Sequence, residues 1–141
     1  MEKYYSMHLV KSEDLNHHGT LFAARTASWL VEAAFIAAAS THGNSEEIVC
    51  RNIHGMQFKC PVNCGDIVKF SSRVVRAGKT SLTVFVDIES ELYGIEPAEG
   101  YITFVVVAKN TGKKIEHGIT LDEPEDEQER LERDGAEALF K

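Results

Sequence analysis

Side chains suited to hydrogen bonding and proton transfer lie just before and within the longest apolar segment of this 141-residue chain. Residues 16–20 form a polar turn with one asparagine and two histidines, and the Ala-rich segment 21–41 follows at once. Inside that segment, Arg25, Ser28 and Glu32 have the spacing that places side chains on one stripe of a helix. A polar turn that leads into a largely apolar helix with one polar stripe indicates half of an active site.

The pattern around this helix predicts how it is positioned. A helix that is apolar on nearly all sides should be covered by other structure, and this one should end near Gly43. Alternating apolar and β-branched residues predict five strands, over residues 3–10, 47–58, 67–76, 81–88 and 101–109. Because no helix separates the later strands, the pattern favours an α+β fold in which an antiparallel sheet curls around one buried helix.

Smaller features complete the predicted order of elements. Gly55 is a candidate bulge in the second strand, and residues 77–79 form a tight hairpin turn. Residues 113–117 are expected to add a short strand. A charged helix is expected over residues 124–139, with Pro124 in its first turn and its acidic residues facing solvent.

Length and composition indicate one globular domain that spans residues 1–141. The net charge of −7 argues against nucleic acid as a partner, although an anionic ligand can still bind a locally basic groove. Arg25 and Glu32 interrupt the only segment that is long enough for a membrane span. Because the first residues show no basic region followed by an apolar stretch, we expect a cytoplasmic location.

The cysteine pattern does not predict a metal site. Cys60 and Cys64 are close in sequence, but no second Cys or His pair completes four ligands at zinc spacing. Together with Cys50 they are expected to be reduced, partly buried thiols.

Five segments of the chain resemble the hotdog-fold acyl-CoA thioesterases, in the order and spacing of that family. They are DLNHHGTLF at 14–22, AAASTH at 37–42, FKCPVNCGD at 58–66, VRAGKTSLTV at 75–84 and YITFVVV at 101–107. The resemblance implies a hotdog fold, in which an antiparallel sheet wraps one central helix. It implies acyl-CoA as the partner, with CoA as part of the substrate and no separate cofactor. It also implies active sites between two subunits, hence a homodimer at least, and in many relatives a hexamer built as a trimer of dimers.

By this resemblance, Asn16 corresponds to the catalytic asparagine of the family, and Ala23 and Ala24 stand where the family usually has two glycines. Backbone N–H groups at the start of a helix can polarise a thioester carbonyl. The Asn16 amide would bind the nucleophilic water or the carbonyl; the alternative is an asparagine that only stabilises its own turn. His18, which offers a base near neutral pH, and Gly19 complete this end of the predicted substrate site.

The acidic residue of the family falls on position 31, where this chain has Val31. Glu32 lies about 100° further around the helix, so it does not occupy the same place. In one interpretation, Glu32 is the catalytic acid and the substrate sits differently. In the other, Glu32 is a buried structural carboxylate that pairs with Arg25 or the sheet, and catalysis is weak.

A second part of the predicted site binds the nucleotide of CoA. Positive charge and hydroxyl groups suit phosphates. They occur in a segment that resembles the family segment beside the nucleotide, and the residues are Arg76, Gly78, Lys79, Thr80 and Ser81. The alternative is a hairpin with an ordinary polar tip.

These features predict an acyl-CoA thioesterase that works without a metal. The alternative is a hotdog protein that binds acyl-CoA without hydrolysing it, as a sensor or carrier, and Val31 and the alanine pair favour it. A hotdog dehydratase is disfavoured, because those enzymes have a proline at the helix start and the first 60 residues here contain none. Phe22, Trp29 and Phe35 are expected to belong to the core rather than to an acyl tunnel, and His54 to pack within its strand.

Overall fold

The computed structural model describes all 141 residues, and its central feature is one antiparallel sheet that packs against a long helix. The strands are β1 (Tyr4–Leu9), β2 (Ile48–Phe58), β3 (Ile67–Ala77), β4 (Ser81–Ser90) and β5 (Ala98–Val106). The helices are α1 (Ala23–His42) and α2 (Glu127–Ala138), and single 3₁₀ turns cover Ser12–Asp14 and Ser45–Glu47. In space the strands follow the order β1-β3-β4-β5-β2, so β1 and β2 are the two edges. The expected α+β architecture is confirmed. Neither helix has the length and apolar character needed to cross a membrane.

Helix α1 buries one face against the sheet and leaves the opposite face exposed. The buried face consists largely of small residues, which let the helix lie close to the sheet, and they are Thr26, Leu30, Ala33, Ala34, Ala37 and Ala38. Inner side chains of β3, β4 and β5, such as Phe70, Leu82 and Phe104, complete the core. The exposed face carries Ala24, Arg25, Ser28 and Glu32. The expectation that other structure covers the helix on nearly all sides is therefore wrong for this face of a single chain.

Two turn residues lie where the sequence predicts them. Helix α1 ends at Gly43, which has a φ of 91° and donates its N–H to the Ala39 carbonyl (2.7 Å). The pairing of β2 with β5 shifts register between Ile53 and Gly55, which confirms the bulge. Both features depend on local backbone conformation that glycine adopts readily.

Three predicted boundaries need correction. Strand β5 begins at Ala98 rather than at residue 101. Residues 113–117 form no strand, since only one bridge, between Val107 and Lys114, joins this segment to the sheet. Helix α2 begins later than predicted, because Asp126 caps it by accepting a hydrogen bond from the Glu129 N–H (2.8 Å). Pro124 therefore lies outside the helix.

Helix α2 lies on the outer face of the sheet and is held there by buried ion pairs. Arg73 of β3 is 1% exposed, and it contacts the carboxylates of Glu132 (Nε–Oε1, 2.8 Å) and Glu129 (Nη1–Oε1, 3.7 Å). Glu129 is fully buried and also contacts the amino group of Met1 (2.8 Å). The expectation that the acidic residues of this helix face solvent is wrong for Glu129 and Glu132. The physical reason is the buried positive charge of Arg73, which the sequence pattern of the helix does not reveal.

Candidate active site

The turn that precedes α1 is folded tightly enough to fix the position of Asn16. The Asn16 N–H donates to the Thr20 carbonyl (2.7 Å), and a bridge between Thr20 and Asn63 ties the turn to the segment before β3. Gly19 has a φ of 80°, in the left-handed region that favours glycine, so it closes the turn. Asn16 is consequently held beside the first turn of α1.

The amide of Asn16 both stabilises this turn and keeps a free donor. Its Oδ1 accepts hydrogen bonds from the backbone N–H groups of His18 (2.8 Å) and Thr20 (3.2 Å). These donors fix the orientation of the amide, since only its oxygen can accept them. Its Nδ2 donates to the Thr20 hydroxyl (3.1 Å), and the second N–H of Nδ2 has no partner. Asn16 can therefore stabilise the turn through its Oδ1 and still donate a hydrogen bond to a ligand through its Nδ2.

The first N–H groups of α1 are also unpaired. Phe22 precedes the helix without a side-chain cap, and its carbonyl accepts the N–H groups of Arg25 (2.9 Å) and Thr26 (3.1 Å). The N–H groups of Ala23 and Ala24 have no hydrogen-bond partner, as is usual at the start of a helix. They lie at the positive end of the helix dipole, which favours an oxygen that carries negative charge.

Asn16 and Ala23 line the same cavity, which has a volume of about 310 Å³. Its other walls come from the start of α1, the end of β2 with the segment that follows it, and the start of β5, and they are Leu21, Thr26, Phe58, Lys59, Cys60, Pro61, Val62, Pro97 and Ala98. This lining contains hydroxyl, thiol, amide and ammonium groups but no carboxylate. The cavity therefore offers hydrogen-bond donors to a carbonyl oxygen and no carboxylate base from the same chain.

The walls from β2 and β5 were not predicted as part of the site. Residues 58–62 belong to one of the family-like segments, and that resemblance is the signal that could have assigned them. Pro97 and Ala98 carry no such signal, because only the pairing of β5 with β2 brings them to the cavity. At the rim, the Lys59 ammonium pairs with Glu99, whose hydrogen bond raises the pKa of Lys59.

Glu32 lies outside this cavity. It follows Ala23 by nine residues, which corresponds to about 14 Å along the helix axis, and its side chain is exposed. The expected ion pair between Glu32 and Arg25 is wrong, because Arg25 pairs with the buried carboxylate of Asp14 (Nε–Oδ1, 3.3 Å). Val31, at the position of the family's acid, packs against the core. The role of Glu32 as the acid stays a prediction.

The other predicted residues near the turn are exposed. His18 contributes its backbone N–H to the turn, and its ring contacts the ring of His17, with centroids 3.9 Å apart. Neither imidazole lines the cavity of Asn16. Ala24 lines a second cavity of about 220 Å³, whose other residues are Phe22, Arg25 and Ser28.

The aromatic residues differ in their burial. Trp29 and Phe35 pack against the core as expected. Phe22 is 52% exposed, so the expectation that it belongs to the core is wrong, because no other element of the chain covers the residue before α1. His54 is packed within its strand as predicted: its Nε2 lies 2.6 Å from the Thr103 hydroxyl, and burial lowers its pKa.

The segment predicted to bind the nucleotide of CoA lies at the turn between β3 and β4. Gly78 and Lys79 line a cavity of about 470 Å³ between this turn and residues 116–120. Thr80 and Ser81 are half-buried at the start of β4. The structure therefore brings four of the five predicted residues to one turn and two of them to one cavity.

Arg76, the fifth residue of this group, contacts the C-terminal part of the chain instead. Its Nε lies 3.1 Å from the Glu137 carboxylate, and its guanidinium lies 3.8 Å from the centre of the Phe140 ring. A guanidinium over an aromatic ring is a favourable contact. Arg76 is thus occupied by neighbouring side chains in this structure.

The two predicted parts of the site lie at opposite ends of the sheet. Ala98, in the wall of the Asn16 cavity, pairs with Ile88 at one end of β4, whereas Val105 pairs with Ser81 at the other end. Seven residues of extended strand separate Ala98 from Val105, which corresponds to about 24 Å. One chain therefore does not bring Asn16 and the nucleotide segment into one cavity.

The three cysteines are free. Cys60 is half-buried in the wall of the Asn16 cavity, whereas Cys50 and Cys64 are exposed. The expectation of partial burial is wrong for these two, because Cys50 lies on an edge strand and Cys64 in a surface turn. No three histidine, cysteine, aspartate or glutamate side chains are grouped as metal ligands would be.

A sequence profile of the thioesterase superfamily matches residues 18–92, which is more than half of the chain. The chain belongs to the thioesterase superfamily. The matched residues include helix α1 and the turn at residues 78–81, whereas Asn16 lies two residues before the match begins. The five-stranded antiparallel sheet packed on one long helix is the hotdog fold of this superfamily.

Solved structures of acyl-CoA hydrolases are similar to this superfamily member over nearly its whole length. The acyl-CoA hydrolase from Staphylococcus aureus, in complex with butyryl coenzyme A, coenzyme A and coenzyme A disulfide, is 29% identical with a TM-score of 0.86; the match covers 98% of this chain and 81% of that one. An apo-hexameric acyl-CoA thioesterase is 27% identical with a TM-score of 0.87, and the match covers 98% of this chain and 88% of that one. The acyl-CoA hydrolase from Bacillus cereus is 26% identical with a TM-score of 0.85, covering 96% and 82%. No curated protein matches the chain.

Proposed function

We propose that this protein hydrolyses acyl-CoA thioesters to a carboxylic acid and CoA. The observation that carries the proposal is that one cavity is lined by Asn16, which has a free side-chain N–H, and by Ala23, which has an unpaired backbone N–H. The substrate class is supported by the 29%-identical hydrolase of the same fold, which was solved with butyryl coenzyme A and coenzyme A. In this proposal CoA is part of the substrate, and no separate cofactor takes part.

In the proposed reaction, the thioester carbonyl enters the Asn16 cavity with its oxygen toward the start of α1, where Ala23 lines the cavity and Ala24 carries the next unpaired N–H. These donors and the helix dipole stabilise the negative charge that develops on the oxygen when water attacks the carbonyl carbon. The free N–H of Asn16 supports a role in orienting the water or the oxygen. The carbon–sulfur bond then breaks, and a proton lost by the water returns to the CoA sulfur.

We further propose a homodimer in which the β2 edges of two chains pair. Strand β2 is long and lies at an edge of the sheet, and Val49, Ile53 and Phe58 are about half exposed on it (49%, 49% and 51%). An edge strand with exposed apolar side chains is a template for pairing with another chain. The apo-hexameric thioesterase of the same fold supports an assembly of at least this size.

Antiparallel pairing of two β2 strands would join the separated parts of the site. Since β5 and β4 follow β2 in the sheet, β4 of the partner would lie three strand spacings, about 14 Å, from β2 of this chain. The antiparallel orientation puts Ser81 of the partner subunit on the same side as Phe58 and the Asn16 cavity of this chain. One CoA molecule would then extend from the cavity of one chain to the β3–β4 turn of the other.

The proposed catalytic acid is Glu32. Two further structures of the Staphylococcus aureus hydrolase are of variants, one with an aspartate replaced by alanine and one with an asparagine replaced by alanine. In that hydrolase, the aspartate follows the asparagine by fifteen residues. Fifteen residues after Asn16 this chain has Val31. Glu32 remains the proposed acid, acting on a thioester held in the cavity of the partner, because it lies too far along α1 to reach the cavity of its own chain.

A second candidate function is binding of acyl-CoA without hydrolysis. The absence of a carboxylate from the lining of the Asn16 cavity favours it. Removing a general base typically costs about 10²–10⁴-fold in rate, so a site without one would turn over slowly or not at all.

Thiol release from short, medium, long and aryl acyl-CoAs separates the two functions. We expect turnover by the wild type, a loss of about 10²-fold for Asn16→Ala, and a loss of about 10²-fold for Glu32→Gln if it is the acid. Calorimetry with CoA provides the second readout. A wild type that binds CoA but hydrolyses none of the panel would contradict the thioesterase proposal and establish the binding function.

Two broader points belong to the same proposal. We propose that residues 1–141 act as one domain, which the single sheet and its continuous core support. We also propose a cytoplasmic location, which the three free cysteines support, because reduced thiols are typical of that compartment.

A further inference from the structure

His117 connects the chain after β5 to the turn between β3 and β4. Its backbone N–H donates to the Lys79 carbonyl (3.2 Å), and its Nε2–H donates to the Ser81 carbonyl (3.0 Å). Its Nδ1 accepts the Ile119 N–H (2.9 Å). Because one ring nitrogen donates and the other accepts, these bonds select the tautomer with its hydrogen on Nε2.

The two carbonyls that His117 contacts lie on either side of Thr80. Within the turn, the Gly78 N–H donates to the Ser81 carbonyl (2.9 Å), and the Thr80 carbonyl accepts the Val106 N–H (2.7 Å). No other side chain outside the turn forms a hydrogen bond with these residues. The imidazole of His117 therefore fixes the shape of the turn from outside the sheet.

The same histidine lines the cavity of about 470 Å³ beside this turn. Lys79 contributes an ammonium group to the cavity lining, and lysine binds phosphate as a flexible point charge. Glu116 also lines the cavity, and its carboxylate opposes the binding of an anion. The cavity thus contains one group that attracts phosphate and one that repels it.

We propose that His117 is a positioning residue for the nucleotide end of CoA. It holds residues 78–81 in the shape in which Lys79 lines the cavity, and the phosphates of the nucleotide bind between the turn and residues 116–120. The inference rests on the proposed function for its substrate. It adds a residue that lies outside the segment to which the family resemblance assigns the nucleotide.

Calorimetry with adenosine 3′,5′-bisphosphate tests the inference without any turnover. We expect His117→Ala to weaken binding about 10-fold, which corresponds to the loss of one well-made hydrogen bond. His117→Gln keeps an N–H near the position of Nε2, and its binding should stay within about 3-fold of the wild type. Equal binding by the wild type and His117→Ala would overturn the inference.

Kinetics with two substrates distinguish positioning of the nucleotide from general damage to the fold. For His117→Ala, KM for acyl-CoA should rise about 10-fold with kcat unchanged. Both parameters should be unchanged for an S-acyl-N-acetylcysteamine, which has no nucleotide. Equal losses on both substrates would overturn the inference. If the wild type hydrolyses neither thioester but binds the bisphosphate as described, the proposed function fails and the role of His117 stands.

Glu116→Gln provides a test that does not disturb His117. Removing this charge from the cavity should tighten binding of the bisphosphate about 2- to 5-fold at low salt, since it removes repulsion at an exposed site. Unchanged binding would place the phosphates elsewhere and overturn the inference. Because this test does not use His117→Ala, it applies even if that variant does not fold.

Discussion

Arg73 and Glu132 form a buried two-point ion pair that joins β3 to α2. The two hydrogen bonds are Nε to Oε1 (2.8 Å) and Nη2 to Oε2 (3.1 Å), and the side chains are 1% and 6% exposed. Parallel hydrogen bonds between a guanidinium and a carboxylate are among the stronger polar contacts in proteins. They explain how a helix with few apolar side chains stays on the outer face of the sheet.

Breaking this pair should destabilise the fold. Glu132→Gln leaves the Arg73 guanidinium buried with less compensating charge, so we expect the free energy of unfolding to fall by about 3–5 kcal/mol. Urea unfolding of the wild type and the variant measures this change in the free energy of unfolding. Glu127→Gln is the matched control on the same helix, because Glu127 pairs with Arg130 in solvent and its loss should have little effect. Similar effects of the two substitutions would contradict a dominant buried pair.

Glu129 should make stability sensitive to acid. Burial alone would raise the pKa of its carboxyl, but hydrogen bonds from the Met1 amino group, the Glu125 N–H and Arg133 outweigh burial and lower the pKa to about 2. A carboxyl whose pKa is lower in the folded state stabilises the fold fully above its unfolded-state pKa of 4.5. That contribution should be lost as the pH falls from about 4.5 to about 2. Unfolding curves across this range should show the decline, and Glu129→Gln should flatten it; parallel curves would argue against this assignment.

Val31→Asp should increase thioester hydrolysis. The substitution places a carboxylate where the superfamily resemblance expects the acid, and a positioned general base contributes about 10²–10⁴-fold in rate. Thiol release by folded protein is the measurement. Val31→Asn has nearly the same shape and no basic carboxylate, so it should not gain activity. An equal response of the two variants would show that a carboxylate at this position is not what the site lacks.

Alkylation of Cys50 should disrupt the proposed dimer. Its thiol is exposed on β2, the edge strand assigned to the interface, and a bulky maleimide there would obstruct pairing of the two edges. Analytical ultracentrifugation before and after treatment measures the change. Cys50→Ser is the control, since the reagent can then modify only Cys60 and Cys64. If the treated wild type and the treated Cys50→Ser variant both dissociate, or if neither does, the result would count against the β2 interface.

Local patterns in the sequence predicted the elements that depend on local chemistry. The Ala-rich apolar segment with its one polar stripe predicted α1, and Gly43 marked its end because a left-handed residue commonly closes a helix. The alternation of strands β3 and β4 was equally clear. The strand predicted over residues 113–117 does not form, because only Lys114 and Ile115 contact the end of β5 before the backbone turns toward Lys79.

Contacts between distant residues could not be predicted in this way. Arg73 and Glu132 are far apart in sequence, and neither position shows that the other will neutralise it. The residues themselves identified the turn of Asn16, and the family resemblance assigned its role, but its separation from Lys79 follows from their positions at opposite ends of the paired strands β4 and β5. The many charged residues of α2 likewise predicted a solvent-exposed helix. The sequence shows how many charges the helix carries, but it does not show which of them pair with opposite charges in the folded chain.

The separation of Asn16 from Lys79 has a consequence for mixed assemblies. In the proposed dimer, each site takes its asparagine from one chain and its lysine from the other. A dimer of one Asn16→Ala chain and one Lys79→Ala chain would therefore have one site with both defects and one site with neither. Two impaired proteins, each defective in all of its own sites, would regain activity when their chains are exchanged. Two different defective alleles expressed in one cell would complement each other in the same way.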